Sequence, residues 1–137
     1  MPIDSNNVVK VIISNDKNEI LVLLRTDNGK YDLPGGHLHV GENEIMGAIR
    51  EVFEETKLVL LQIEEIIKYK RKIMFKSNSY ASLGKTEEIE LDLNENKDYI
   101  WLSEDKFIEL PDRNSTDVVT AYKAFILEDK KFWDKLR

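Results

Sequence analysis

Four acidic residues, Glu44, Glu51, Glu54 and Glu55, fall at helical spacing in the segment after Gly41. Residues three and four apart share one face of a helix, so Glu51, Glu54 and Glu55 converge. Glu44 stands about two turns earlier on the same side. Like charges so placed repel, by about 0.2–0.5 kcal/mol per pair in an isolated helix. Arg50 alone is well placed to offset them, beside Glu51 and four residues before Glu54. A hard divalent cation suits such a cluster. Mg²⁺ takes oxygen ligands at about 2.0–2.1 Å and relies on a few carboxylates plus substrate phosphates and water. Just upstream, Pro34-Gly35-Gly36 lets backbone come close to a ligand, because glycine lacks a Cβ and accepts positive φ. Loop and helix together read as a metal-bridged polyphosphate site. Singly, each has a plainer meaning: a solvated helix face and a turn.

The helix needs a second face to anchor it. Ile45, Ala48, Ile49, Val52 and Phe53 recur at i, i+3, i+4, i+7 and i+8, one apolar stripe. Asn43 is a good N-cap, with Glu42 and Glu44 near the positive end of the helix dipole. The carboxylates are therefore expected to point away from the core, into solvent. Before the helix, Val8–Ser14 and Glu19–Arg25 read as strands joined in a hairpin by Asn15-Asp16-Lys17-Asn18. Thr26 to Lys30 is a second turn, and Tyr31 to Gly36 leads into a glycine-bearing loop ending at Gly41. After the helix, strand-like runs occupy 58–61, 66–69, 73–76, 80–83, 88–93 and 99–102, while 63–67 also fits a helix. Residues 103–110 predict a short helical turn ended by Pro111. Ser115 or Thr116 caps a final helix with Val118, Val119, Tyr122, Phe125 and Ile126 on one face. Strands around an early helix and before a late one predict an α/β (α+β) layered domain, with residues 1–137 forming one unit.

Gly36, five residues, Glu42, seven residues, then Arg50-Glu51-Val52-Phe53-Glu54-Glu55-Thr56-Lys57-Leu58 resembles the Nudix box, G-x5-E-x7-R-E-U-x-E-E-x-G-U with U bulky and apolar. Leu33-Pro34-Gly35-Gly36 resembles its usual lead-in, and 99–104 resembles the family's late strand and the turn of helix after it. One position departs: Lys57 stands where the family has glycine, at the place of a helix C-cap.

The resemblance implies an α/β/α sandwich around a mixed sheet, and a hydrolase that cleaves a diphosphate linkage in a nucleoside diphosphate joined to another group. Mg²⁺ or Mn²⁺ is the implied cofactor and a small nucleotide the implied substrate. Glu51, Glu54 and Glu55 are then the metal-binding carboxylates, with Gly35 contributing its carbonyl. Arg50 orients the carboxylates and Glu42 braces the loop–helix junction. The base that takes the water's proton is a box glutamate, Glu51 or Glu54, or one on a later loop. Glu95 is the preferred later residue, with Glu87 and Glu88 as alternatives. A homodimer is common in the family. The runner-up function is a non-catalytic Nudix-like module that binds nucleotide; a third is hydrolysis of RNA 5′ ends.

The chain has 137 residues, with 20 Lys+Arg against 26 Asp+Glu and a formal charge of −6. That balance argues against RNA and against nucleic acid generally, which needs a basic face. No cysteine is present, so thiolate metal sites and cysteine nucleophiles are excluded. No run approaches the roughly 18 apolar residues of a membrane span, and no signal segment opens the chain, so a cytoplasmic protein without a membrane partner is expected. His37-x-His39 offers two imidazoles to substrate phosphate or, less readily, to a metal. Tyr31, Phe75, Tyr80 and Trp101 are base-stacking or core aromatics. The basic run Lys68 to Lys72 is a solvated segment that could draw in anionic substrates.

Overall fold

A computed structural model describes residues 3–136. Strands β1 (Ile3–Ile13), β2 (Ile20–Arg25), β3 (Tyr31–Asp32) and β4 (Gly35–His39) precede helix α1 (Glu44–Thr56). Strands β5 (Leu58–Leu60), β6 (Glu64–Tyr69), β7 (Lys72–Ser77), β8 (Tyr80–Ser82) and β9 (Asn96–Leu102) follow. Helix α2 (Glu104–Ile108), a 3₁₀ turn (Asp112–Asn114) and helix α3 (Asp117–Leu136) complete the order.

The largest sheet runs β4-β1-β7-β6. β1 lies parallel to β7 and antiparallel to β4, so this sheet is mixed. A second sheet, β3-β2-β9, is antiparallel, and β5 pairs with β8. Alternation along the central strands separates two apolar layers. Val9, Val11 and Ile13 of β1, Leu21 and Leu23 of β2, and Ile73 and Phe75 of β7 pack with Ala48 and Val52 of α1. Their neighbours Ile12, Ile20, Val22 and Met74 pack instead with Phe107 of α2 and Val118, Val119 and Ile126 of α3. The expected α/β/α arrangement is present.

Three local expectations change. β1 and β2 are not a hairpin: the turn forms, with Asn15 Oδ1 accepting from the Lys17 and Glu19 amides. However, both edges of β1 are already taken by β4 and β7, so β2 pairs with the chain there only through the Ser14–Ile20 bridge just past β1 and joins another sheet. Residues 88–93 are not a strand. They run irregularly past the end of α1, where the Glu90 and Asp92 amides donate to the carbonyls of Thr56 and Glu55 at 3.1 and 3.2 Å. Those carbonyls are among the four that a helix leaves unpaired at its C-terminus. Of residues 63–67, all but Ile63 resolve as strand, in β6, because Glu64 to Tyr69 pair with β7.

Helix α1 begins and ends as its sequence dictates. Asn43 accepts from the amides of Ile45 and Met46 at 2.9 and 3.1 Å. Lys57 is the C-cap, in left-handed geometry at φ 64°, and its amide donates to Phe53 O.

Candidate active site

Strand β4, which replaces much of the loop expected to run to Gly41, and the carboxylate face of α1 form one wall of a cleft of about 500 Å³. Lys10, Gly35, Gly36, Arg50, Glu51, Glu54, Glu55, Glu95 and Asn96 are among the residues that line it. Arg50, the three box glutamates, Gly35 and Glu95 are therefore brought together here, while Glu42 lies outside the lining and reaches it through Arg50. Glu95 arrives from the turn just before β9, exposed and directed at the box carboxylates' cleft. Glu87 and Glu88 do not line it.

Burial differs sharply along the acidic face, which corrects the expectation that it looks into solvent. Glu54 is half exposed, Glu51 mostly covered, and Glu55 only 8% exposed. The cause is β4, which packs along α1: Glu55 Oε1 accepts the Gly35 amide at 2.7 Å, and Oε2 accepts from Asn96 Nδ2 at 3.0 Å. Glu51 lies so close to Gly36 that a Cβ there would sit 2.6 Å from Oε2. At Gly35, φ is 138° and a Cβ would meet Val9 O at 2.0 Å. Two adjacent glycines are thus what allow the strand to reach the carboxylates. In the apolar stripe, Ala48 and Val52 are fully buried, whereas Ile45 is 44% exposed.

Arg50 organises the opposite end. Its Nε and Nη2 grip Glu42 at 2.7 and 2.9 Å, and Nη2 also donates to His37 O. Its Nη1 donates to Glu51 and Glu54 at 3.1 Å. Glu42 in turn accepts the His39 amide at 3.0 Å. These contacts hold the Glu42 carboxyl down at about 2, the guanidinium's hydrogen bonds first and the His39 amide after the opposing effect of burial. Burial has the reverse effect on the other wall. It pushes Glu55 up to about 7, against the Lys10 charge and the Gly35 amide, and pushes Glu51 up as well, against Arg50.

Lys10, Asp32 and Asn96 were missed in the sequence. Lys10 is only 6% exposed and donates to Asp32 Oδ2 at 2.8 Å, Leu33 O at 3.1 Å and Gly35 O at 3.3 Å. A lysine inside the run Val8-Val9-Lys10-Val11-Ile12 was the available signal, since strand interiors rarely bury one unpaired. Asn96 carried no such mark. The four aromatics fall to structural roles or stand outside the cleft: Phe75 is core, Tyr80 stacks on Trp101 at 6.2 Å, and Tyr31 packs beside α3's layer. His37 and His39, alternate residues of β4, both line the cleft. Of the basic run, Lys72 lines it too and pairs with Asp117, while Lys68 pairs with Glu44 and Glu65.

The acidic donors of the cleft are candidates for a divalent cation. Among the described residues, no three His, Asp or Glu side chains are already gathered around one point. Arg50 engages Glu51 and Glu54, and Glu55 is turned to Gly35 and Asn96. The chemistry nevertheless fits. All the acidic donors are hard oxygens, and Glu55 is a buried carboxylate whose direct partners are neutral N–H groups. Burying an anion without a countercharge is costly, and a cation beside Glu51 and Glu55 removes that cost.

A mixed-sheet sandwich whose carboxylate helix faces the glycines of β4 defines the class of fold. The NUDIX domain family model matches residues 5–125, and the chain belongs to that family. A MutT-like protein of Streptomyces ambofaciens is 37% identical over 65 residues, a match spanning 47% of this chain and 41% of that protein. The chain thus aligns with less than half the length of that relative. The MutT protein of Methanosarcina mazei Go1 superposes with a TM-score of 0.65 at 26% identity, covering 90% of this chain and 94% of the other. A MutT NUDIX hydrolase from Burkholderia pseudomallei has the same fold, with TM-score 0.64, 16% identity and coverage of 87% and 95%. Among the described residues, no helix is long and apolar enough to cross a membrane.

Proposed function

We propose that the chain is a metal-dependent hydrolase that cleaves a diphosphate linkage in a nucleoside diphosphate joined to another group, such as a nucleoside triphosphate. The observation that carries this reading is the convergence of Arg50, Glu51, Glu54, Glu55 and Glu95 on one cleft beside the Gly35-Gly36 backbone. Glu51, Glu54 and Glu55 would hold Mg²⁺ or Mn²⁺, with the Gly35 carbonyl as a further oxygen. Bound there, the cation supplies charge neutralisation for the diphosphate and a more acidic water.

The remaining work belongs to the chain. Arg50 keeps Glu51 and Glu54 on the cleft side of α1, and Glu42 keeps Arg50. Glu54 and Glu95 are exposed carboxylates of the cleft, placed to accept a proton from water. Lys72 and the histidines of β4 offer positive or hydrogen-bonding groups to phosphate oxygens. The −6 charge supports a small nucleotide over RNA. A panel of nucleoside triphosphates, nucleotide sugars and dinucleoside polyphosphates incubated with Mg²⁺, with products separated by charge, tests this. Release of a nucleoside monophosphate is the expected result. Binding of nucleotides with no Mg²⁺-dependent product from any of them would support the non-catalytic alternative.

A further inference from the structure

We infer that Lys10 is a positioning residue for this site: held by Asp32, its ammonium fixes the backbone carbonyls that flank the Gly35 amide and so sets the Glu55 carboxylate. The inference rests on the proposed hydrolase reading and adds to it a residue outside the Nudix box.

The geometry forms a short relay. Lys10 sits on β1 between β4 and β7. Its three donors are spent on Asp32 Oδ2, Leu33 O and Gly35 O, at 2.8, 3.1 and 3.3 Å. An ammonium has three N–H groups and no acceptor, so this set is complete. Asp32 is itself fixed from four sides. It receives Lys10, Arg25 Nη1 at 3.2 Å, the Leu33 amide at 2.8 Å and Thr116 Oγ1 at 3.0 Å. Those contacts tie β1, β2, β3 and the start of α3 to one carboxylate. On the other side of the ammonium, the Gly35 carbonyl accepts from Lys10 while the Gly35 amide donates to Glu55 at 2.7 Å.

Gly35 has no side chain to hold its orientation, and its φ of 138° lies where only glycine is comfortable. The Gly35 amide belongs to the Pro34–Gly35 peptide, whose carbonyl accepts the Val11 amide at 2.9 Å. Lys10 holds the carbonyls on either side of that unit, Leu33 O and Gly35 O, while Glu55 accepts its amide. Loss of Lys10 frees both flanking carbonyls, loosens the backbone about Gly35 and with it the orientation in which Glu55 lines the cleft. Residues that orient metal ligands through one intermediate bond commonly affect metal affinity or activity by about 10–100-fold when removed.

The test compares wild type, Lys10→Met and Lys10→Arg, with Glu51→Gln as a control for the hydrolase reading. Lys10→Met is close in shape, and it leaves Asp32 paired with Arg25, so the Asp32 charge is not stranded. Lys10→Arg keeps the charge and its donors.

The first readout needs no turnover: hydrogen exchange of the Gly35 amide by NMR, with β2 core amides as reference. Lys10→Met is expected to speed Gly35 exchange by about tenfold or more while the β2 amides keep their protection, with Lys10→Arg nearer wild type. The second readout is Mn²⁺ affinity by electron paramagnetic resonance together with steady-state kinetics. Lys10→Met is expected to weaken Mn²⁺ binding and lower kcat by about 10–100-fold, with nucleotide KM changed far less.

Unchanged Gly35 exchange and unchanged Mn²⁺ affinity in Lys10→Met overturn the inference while leaving the hydrolase reading intact. Equal loss of protection at Gly35 and in β2 also overturns it, since that is a general structural effect. If wild type and Glu51→Gln bind Mn²⁺ equally and neither turns over, the hydrolase reading fails, and the role given to Lys10 falls with it.

Discussion

Arg50 reaches back to Glu42 across the loop–helix junction, Nε to Oε2 at 2.7 Å and Nη2 to Oε1 at 2.9 Å, with the Glu42 side chain only 12% exposed. A fork-to-fork ion pair of this kind fixes both partners in plane. One consequence is a pH dependence. The Glu42 carboxyl falls from an ordinary 4.5 to about 2 in the folded chain. A depressed carboxyl stabilises the fold above its unfolded value, and that stabilisation is lost as pH drops through the folded one. Denaturant midpoints of wild type should therefore decline from about pH 4.5 toward about pH 2 more steeply than those of Glu42→Gln. At neutral pH the variant should be less stable by about 1.5–3 kcal/mol, the range for a hydrogen bond to a charged group.

Gly36→Ala should separate activity from stability. Its Cβ would meet the end of the Glu51 side chain at 2.6 Å rather than any backbone atom. Glu51 can swing aside, so thermal unfolding should change little, while Mg²⁺-dependent turnover falls by about 10–100-fold. Val52→Ala should do the reverse. Val52 is fully buried, so stability should drop by roughly 1–3 kcal/mol with a smaller effect on turnover. Calorimetry and kinetics on both variants check the pair.

Much of this site was legible because its signals are local. Helix α1, its Asn43 cap, the left-handed cap at Lys57 and the grouping of Arg50 with Glu51 and Glu54 all follow from spacing within a few residues. What escaped depends on contacts between distant segments. The burial of Glu55 needs β4 and Asn96, 20 and 41 residues away, and the Lys10–Asp32 pair spans 22. The mistaken hairpin has the same origin. Its turn chemistry was correct, but the competition of β4 and β7 for the edges of β1 is a tertiary matter.

Lys57→Gly should alter stability by less than about 1 kcal/mol. Glycine relieves left-handed strain of about 1 kcal/mol at φ 64°. It also removes a charge near the C-terminal end of the dipole and the ammonium 4.9 Å from the Phe53 ring centroid, together of similar size. Denaturant midpoints and the Mg²⁺ requirement of both versions check this, and the requirement should be unchanged.

Mg²⁺ or Mn²⁺ should raise the melting temperature of wild type. A ligand specific to the folded state stabilises it by about 2.7 kcal/mol at a hundredfold excess over Kd. Glu55→Gln removes the most buried carboxylate of the box triad and should blunt that rise. Thermal scans at several metal concentrations, with a chelator control, measure it.

The most direct measurement is nucleoside monophosphate release from nucleoside triphosphates by wild type and Glu51→Gln, with Mg²⁺ and with the metal chelated. The account predicts product only from wild type with Mg²⁺, and a loss of at least about a hundredfold in Glu51→Gln at unchanged fold. Equal turnover by folded Glu51→Gln, or turnover by wild type with the metal chelated, would contradict it.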